Sequence, residues 1–130
     1  MQQVNLIIII MTEEKVLNLP MRRKYALEIL RGEKVREYRA CSEHWAKVLG
    51  ECNDPNDKFV VTDLKHFDRI HFYPYNNKWY LDVEFKAMGL YEVDDEFLSH
   101  FGTEIEAEKG SWVFVIRLGN VISTNLTEEG

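Results

Sequence analysis

Gly32-Glu33-Lys34-Val35-Arg36-Glu37-Tyr38-Arg39 sets a Lys, a Glu and an Arg just beyond the end of a helical stretch. Upstream, Met21 to Leu30 places Tyr25, Ala26, Ile29 and Leu30 on one stripe at helical spacing, with Arg22, Arg23 and Lys24 outside it, which predicts an amphipathic helix. Arg31 suits the negative end of the helix dipole, and Gly32 suits the left-handed residue that ends many helices. After that turn, Val35 to Arg39 mixes β-branched and aromatic residues with charges and reads as a short strand. Strict alternation puts Val35, Glu37 and Arg39 on one face and Lys34, Arg36 and Tyr38 on the other. Lys34 lies closest to the turn and is free to lean towards Glu37.

The pattern continues on both sides of this segment. Ser42 to Leu49 reads as a second helix capped by Ser42, with Trp45, Val48 and Leu49 on one face and Gly50 as its stop. Glu51 to Asp57 has the residues of a surface loop, and Lys58 to Val61 reads either as a short strand or as more of that loop. Aromatic content favours a strand over Phe67 to Tyr73, followed by a hairpin turn at Asn76-Asn77. Lys78 to Lys86 alternates most clearly: Trp79, Leu81, Val83 and Phe85 point one way, and Tyr80, Asp82 and Glu84 the other. Glu96 to Phe101 is a short helix or turn, and Trp112 to Leu118 a buried strand, apolar on both faces except for Arg117.

At 130 residues and 45% hydrophobic, the chain can bury the core of one domain. Two cysteines, Cys41 and Cys52, are too few for a disulfide framework and suit a reducing cytoplasm, the expected location. Leu6 to Met11 is too short to span a bilayer and has no Lys or Arg before it, so it is read as an extra strand or ordered arm and no membrane role is expected. Exposed on an edge, its isoleucine run would pair with another chain, which makes a homodimer through this segment an expectation. Met11-Thr12-Glu13-Glu14-Lys15 also looks like an ordinary protein start.

Charge is unevenly distributed over a net −6. The segment from Arg22 to Arg39 carries seven of the sixteen basic residues and a net +4, whereas Glu92 to Glu108 holds seven acids and no Lys or Arg. One basic face and one acidic face favour a short ligand and disfavour long duplex DNA. A solvated helix surface is the plainer account of the same basic residues. Cys41-x-x-His44 has ligand-like spacing but no second close pair, so neither a metal nor a cofactor is expected. There is no phosphate-binding glycine loop, nucleophile elbow or dinucleotide fingerprint.

The run Leu19-Pro20-Met21, then Ile29-Leu30-Arg31-Gly32-Glu33-Lys34, then Glu37-Tyr38-Arg39, resembles the ASCH domain signature Gly-x-Lys-x-x-Glu-x-Arg, matching all four fixed positions. About eighty residues later, Val113 to Ile122 resembles the closing strand of that family, where an apolar strand leads into Leu-Gly-x-Val. The resemblance implies an α+β, PUA-like fold: a mixed β-barrel of five to six strands with two to three helices packed at its ends. Residues 15–126 would form that domain, 1–14 an N-terminal extension and 127–130 a tail.

The resemblance also implies a pocket for RNA, a nucleotide or a nucleoside near the motif. Lys34, Glu37, Arg39, Tyr38, Arg22 and Arg23 are the candidate ligand contacts, and Lys34, Glu37 and Glu84 the candidate catalytic residues. Each has a plainer reading: Lys34 as an exposed turn lysine, Glu37 and Arg39 as an ion pair closing the barrel, Asp82 and Glu84 as surface carboxylates. Tyr38, Tyr73, Tyr75 and Tyr80 can stack on a base or fill the core, while Trp79 is expected to be buried. Some proteins similar to the family hydrolyse N4-acylated cytidine with a Thr three residues after the motif Lys, and others have been described as ribonucleases. Here Glu37 stands at the Thr position, so a Thr nucleophile does not transfer; water activated by Glu37, with Lys34 stabilising the oxyanion, is the enzymatic alternative. A protein-interaction module is the third reading.

Overall fold

The computed structural model describes residues 13–58, 60–76 and 78–128. The arm and dimer contact expected of the isoleucine run lie outside the described residues, as does Asn77 of the predicted turn. In chain order the elements are β1 (Val16–Pro20), α1 (Arg23–Leu30), β2 (Arg36–Ala40), α2 (Glu43–Leu49), β3 (Gly50–Glu51), β4 (Asp63–Leu64), β5 (Arg69–Tyr73), β6 (Leu81–Glu92), α3 (Asp95–Phe101) and β7 (Trp112–Thr124). Five of the strands form one mixed sheet in the order β1-β5-β6-β7-β2, while β3 and β4 pair separately. β1 runs parallel to β5, and the remaining neighbours are antiparallel.

The sheet curls into a half-barrel, with β1 and β2 as its two edges. The α+β class and the three helices match the sequence reading, whereas a closed barrel is not formed among the described residues. Its inner face holds the main core: Leu17 and Leu19, Ile70 and Phe72, Leu81 and Val83, Phe114 and Ile116, covered by Ala26 and Ile29 of α1 and Leu49 of α2. On the outer face, Val113 and Val115 meet Val93 and Phe97 of the α3 region in a second, smaller cluster. Two clusters on opposite faces explain why β7 is apolar on both sides.

Local chemistry accounts for most element boundaries. Gly32 takes φ +78°, the left-handed conformation expected after α1. The Ser42 side chain accepts from the Trp45 N–H and caps α2. Trp79, Leu81, Val83 and Phe85 are all buried, as their alternation predicts.

The departures have physical causes. α1 starts at Arg23 and buries Ala26, Leu27 and Ile29, leaving Tyr25 exposed on the side of the 32–39 segment. β6 runs six residues beyond the predicted end at Lys86, because register shifts at Asp82/Val83, Val83/Phe85 and Phe85/Ala87 break the period-two pattern there. Lys58, Val60 and Val61 join no strand, Phe59 between them lies outside the described residues, and the short β3–β4 pair has no counterpart in the sequence reading. Among the described residues, no helix is long and apolar enough to cross a membrane.

A side chain added at Gly32 would meet nothing within 4 Å, so substitution there tests the backbone alone. Gly32→Val is expected to cost about 1–2 kcal/mol, the penalty of a left-handed L-residue, read as a lower urea midpoint at unchanged slope.

Candidate functional site

The motif residues converge because β2 leaves the Gly32 turn along an open edge of the sheet. Glu37 lies opposite Ile116 and Arg39 opposite Phe114 on β7, so both side chains point to the inner, apolar face. Glu37 is only 8% exposed. Its Oε1 lies 3.8 Å from Lys34 Nζ and its Oε2 lies 3.6 Å from the Arg39 guanidinium. The Tyr38 N–H donates to Glu37 Oε1 at 2.9 Å. Burial pushes the Glu37 carboxyl above its ordinary value of 4.5, and the charges of Lys34 and Arg39 oppose that rise.

Arg39 also reaches across the opening between the two sheet edges. It donates to the Pro20 carbonyl at the end of β1, 3.1 Å away, and stacks over Trp45 of α2 at 5.0 Å. Its ion pair with Glu37 is therefore part of what joins β2 to β1. Lys34 is held between two rings, 5.9 Å from the centre of Tyr25 and 5.7 Å from that of Tyr38. Its side chain is 18% exposed, so it is not a solvated turn lysine.

Two depressions meet at Glu37. A cleft of about 490 Å³ is lined by Tyr25, Lys34, Glu37 and Tyr38, with Glu104, Glu106 and Glu108 on its opposite side. A hollow of about 290 Å³ shares Tyr25, Glu37 and Tyr38 and adds Arg22, Arg39 and Tyr75. The acidic wall is fastened to β2: Arg36 donates to both oxygens of Glu104, at 3.1 and 2.8 Å, and the Tyr38 hydroxyl also bonds Glu104. One side of the site is thus acidic and the other carries two arginines.

Other candidates lie elsewhere. Arg23 donates to the Thr127 carbonyl and lines neither depression. Glu84 lies on the outer face of β6, opposite in direction to Glu37, and accepts from the Asn120 N–H at 2.9 Å. Asp82 differs from its expected surface placement: it is 7% exposed, 2.5 Å from His71 Nδ1 and 3.1 Å from the Arg69 guanidinium. His71 stacks with Tyr73 and Tyr80, both 6.0 Å away, so those two tyrosines belong to this outer-face cluster. Sequence reasoning had no place in the site for Tyr25, assigned to the core stripe, or for Glu104, Glu106 and Glu108, assigned to a separate acidic face. The glutamates' only signal was the acid-rich run itself.

The raised Glu37 pKa has a testable sign. The folded chain retains a proton at pH values where the unfolded chain has released it, so Glu37 makes stability fall as pH rises above about 4.5, until its own titration is complete. Glu37→Gln lacks this linkage. Urea unfolding across that range is expected to move the stability difference in the variant's favour as pH rises; a difference independent of pH would show that the carboxylate is solvated.

No protein-family model, no curated protein and no solved structure matches this chain.

Proposed function

We propose that the cleft beside Glu37 holds a nucleoside or nucleotide, free or within RNA, and that the chain is an ASCH-type domain of PUA-like fold. The observation that carries this reading is the Glu37 carboxylate, buried between Lys34 and Arg39 where the two depressions meet and flanked by Tyr25 and Tyr38. Burying a carboxylate is costly, and two cations at more than 3.5 Å compensate it without saturating its lone pairs. Such a group is a fixed acceptor for an amino or hydroxyl hydrogen of a ligand.

The volumes suit a nucleoside-sized ligand, and the tyrosines offer π faces to a base. The acidic wall disfavours a phosphate in the larger cleft. Base and ribose therefore belong there, with any phosphate towards Arg22. The agreement between the residues of the Gly-x-Lys-x-x-Glu-x-Arg signature and those that converge supports the ASCH reading, and the curled sheet supports the PUA-like one.

Hydrolysis of N4-acylated cytidine or single-stranded RNA is the second reading, favoured by Lys34 and Glu37 lying 3.8 Å apart at the cleft, with burial raising the Glu37 carboxyl pKa. For the amide, Glu37 takes a proton from water, the water oxygen adds to the carbonyl carbon, and Lys34 stabilises the oxyanion. The intermediate then collapses with cleavage of the C–N bond, and the proton passes to the leaving amine. Glu84, on the other face of the sheet, has no part in this sequence.

An amide-shift NMR titration with cytidine, N4-acetylcytidine and a short single-stranded RNA tests both readings. Saturable shifts centred on Gly32 to Arg39 are expected, and Lys34→Ala is expected to weaken binding about tenfold through loss of one charged contact. Product signals that vanish in Lys34→Ala would establish the hydrolase. No shifts with any of the three would overturn both readings and leave a protein-interaction role.

A further inference from the structure

The outer face of the sheet carries a second charged feature that the cleft does not use. Arg36 on β2 stands directly opposite Arg117 on β7, and Arg117 stands opposite Ala87 on β6, the neighbour of Lys86. Adjacent strands lie about 4.8 Å apart, so these cations form a short row across three strands. Like charges directly opposite one another destabilise a sheet. Glu104 meets Arg36, but among the described residues Arg117 and Lys86 meet no carboxylate. An anion lying across the row would remove that repulsion.

The row borders a groove of about 770 Å³ lined by Val35, Arg36, Lys86, Tyr91, Phe101 and Arg117 among others, with no acidic residue in its lining. Tyr91 is 47% exposed. A side-chain carbon at Gly89 would come within 2.5–2.7 Å of its ring carbons and hydroxyl, so Gly89 is what lets the Tyr91 ring lie back over the strand. The Arg36–Glu104–Tyr38 cluster forms a partition with this groove on one side and the Glu37 cleft on the other.

We infer that this groove binds single-stranded nucleic acid, with phosphates along Arg36, Arg117 and Lys86 and a base stacked on Tyr91. The choice of nucleic acid rests in part on the nucleoside reading of the cleft, whose ligand is then one unit of the same strand. An acidic peptide would use the cations but leave the ring without a role, whereas a base joined to its phosphates uses both. The acidic segment beside the cleft repels further backbone, which limits the footprint to a few nucleotides.

Fluorescence anisotropy with labelled hexauridylate tests the groove, alongside amide shifts in the wild-type chain. Expected are shifts at residues 86–91 and 115–119, and a log–log salt slope of about −2, as two or three single-strand phosphate contacts produce. Lys86→Ala/Arg117→Ala is expected to weaken binding at least tenfold and to reduce the slope to below about 1 in magnitude. Tyr91→Ala is expected to weaken binding about tenfold with the slope unchanged. Circular dichroism melting checks that each variant is folded.

Cytidine shifts at 32–39 without hexauridylate shifts in the groove would overturn the groove and leave the cleft reading standing. No shifts with either ligand would overturn both. Hexaglutamate competing as well as hexauridylate would overturn the nucleic-acid assignment in favour of an acidic protein partner.

Discussion

Among the described residues the sheet curls without closing, and the site lies at the seam this leaves between β1 and β2. Edge strands carry backbone groups that need partners, and a ladder between these two would have filled the space completely. The Arg39 side chain joins the edges instead, through the Pro20 carbonyl, the Trp45 ring and Glu37. A connection made of one long side chain leaves volume beside it. Tyr25, Lys34 and Glu37 line that volume because the Gly32 turn delivers β2 to the seam directly from α1.

Electrostatically, the site balances a buried negative charge against two cations that hold it at a distance. A carboxylate moved out of water loses several kcal/mol of solvation, and Lys34 and Arg39 return part of this. Neither approaches as closely as a charge-assisted hydrogen bond would. The charge is partly compensated and still able to accept. Across the cleft, the acidic segment opposes a second anion, so the surroundings select as much by repulsion as by attraction.

Much of this organisation can be read from residue order. The Gly32 turn, the Ser42 cap and the inward face of β6 follow from local rules, and alternation along β2 puts Glu37 and Arg39 on one face. What alternation cannot supply is which face is buried: that depends on β7 pairing with β2, almost eighty residues away. Asp82 is the same lesson in reverse, since its burial comes from His71 and Arg69 on the neighbouring strand. Bulges hid the second half of β6 by destroying the period on which strand recognition relies. The acidic wall was visible as composition, but its position against Lys34 depends on the Arg36–Glu104 contact, which no local pattern encodes.

The two apolar clusters differ in size, and this bears on how the molecule breathes. The inner cluster draws on four strands and two helices, whereas the outer one is built on four buried side chains, Val93, Phe97, Val113 and Val115. Ile105 and Ala107, next to the glutamates of the cleft wall, pack on the outer cluster. Opening free energies within one fold scale with the apolar surface each unit buries. The α3 region can therefore detach and reseal while the inner core stays intact, so its amides exchange with solvent through a smaller opening than those of β5 or β7. One wall of the cleft then belongs to a unit less stable than its floor, and access to Glu37 is a matter of local unfolding equilibrium as well as of static shape.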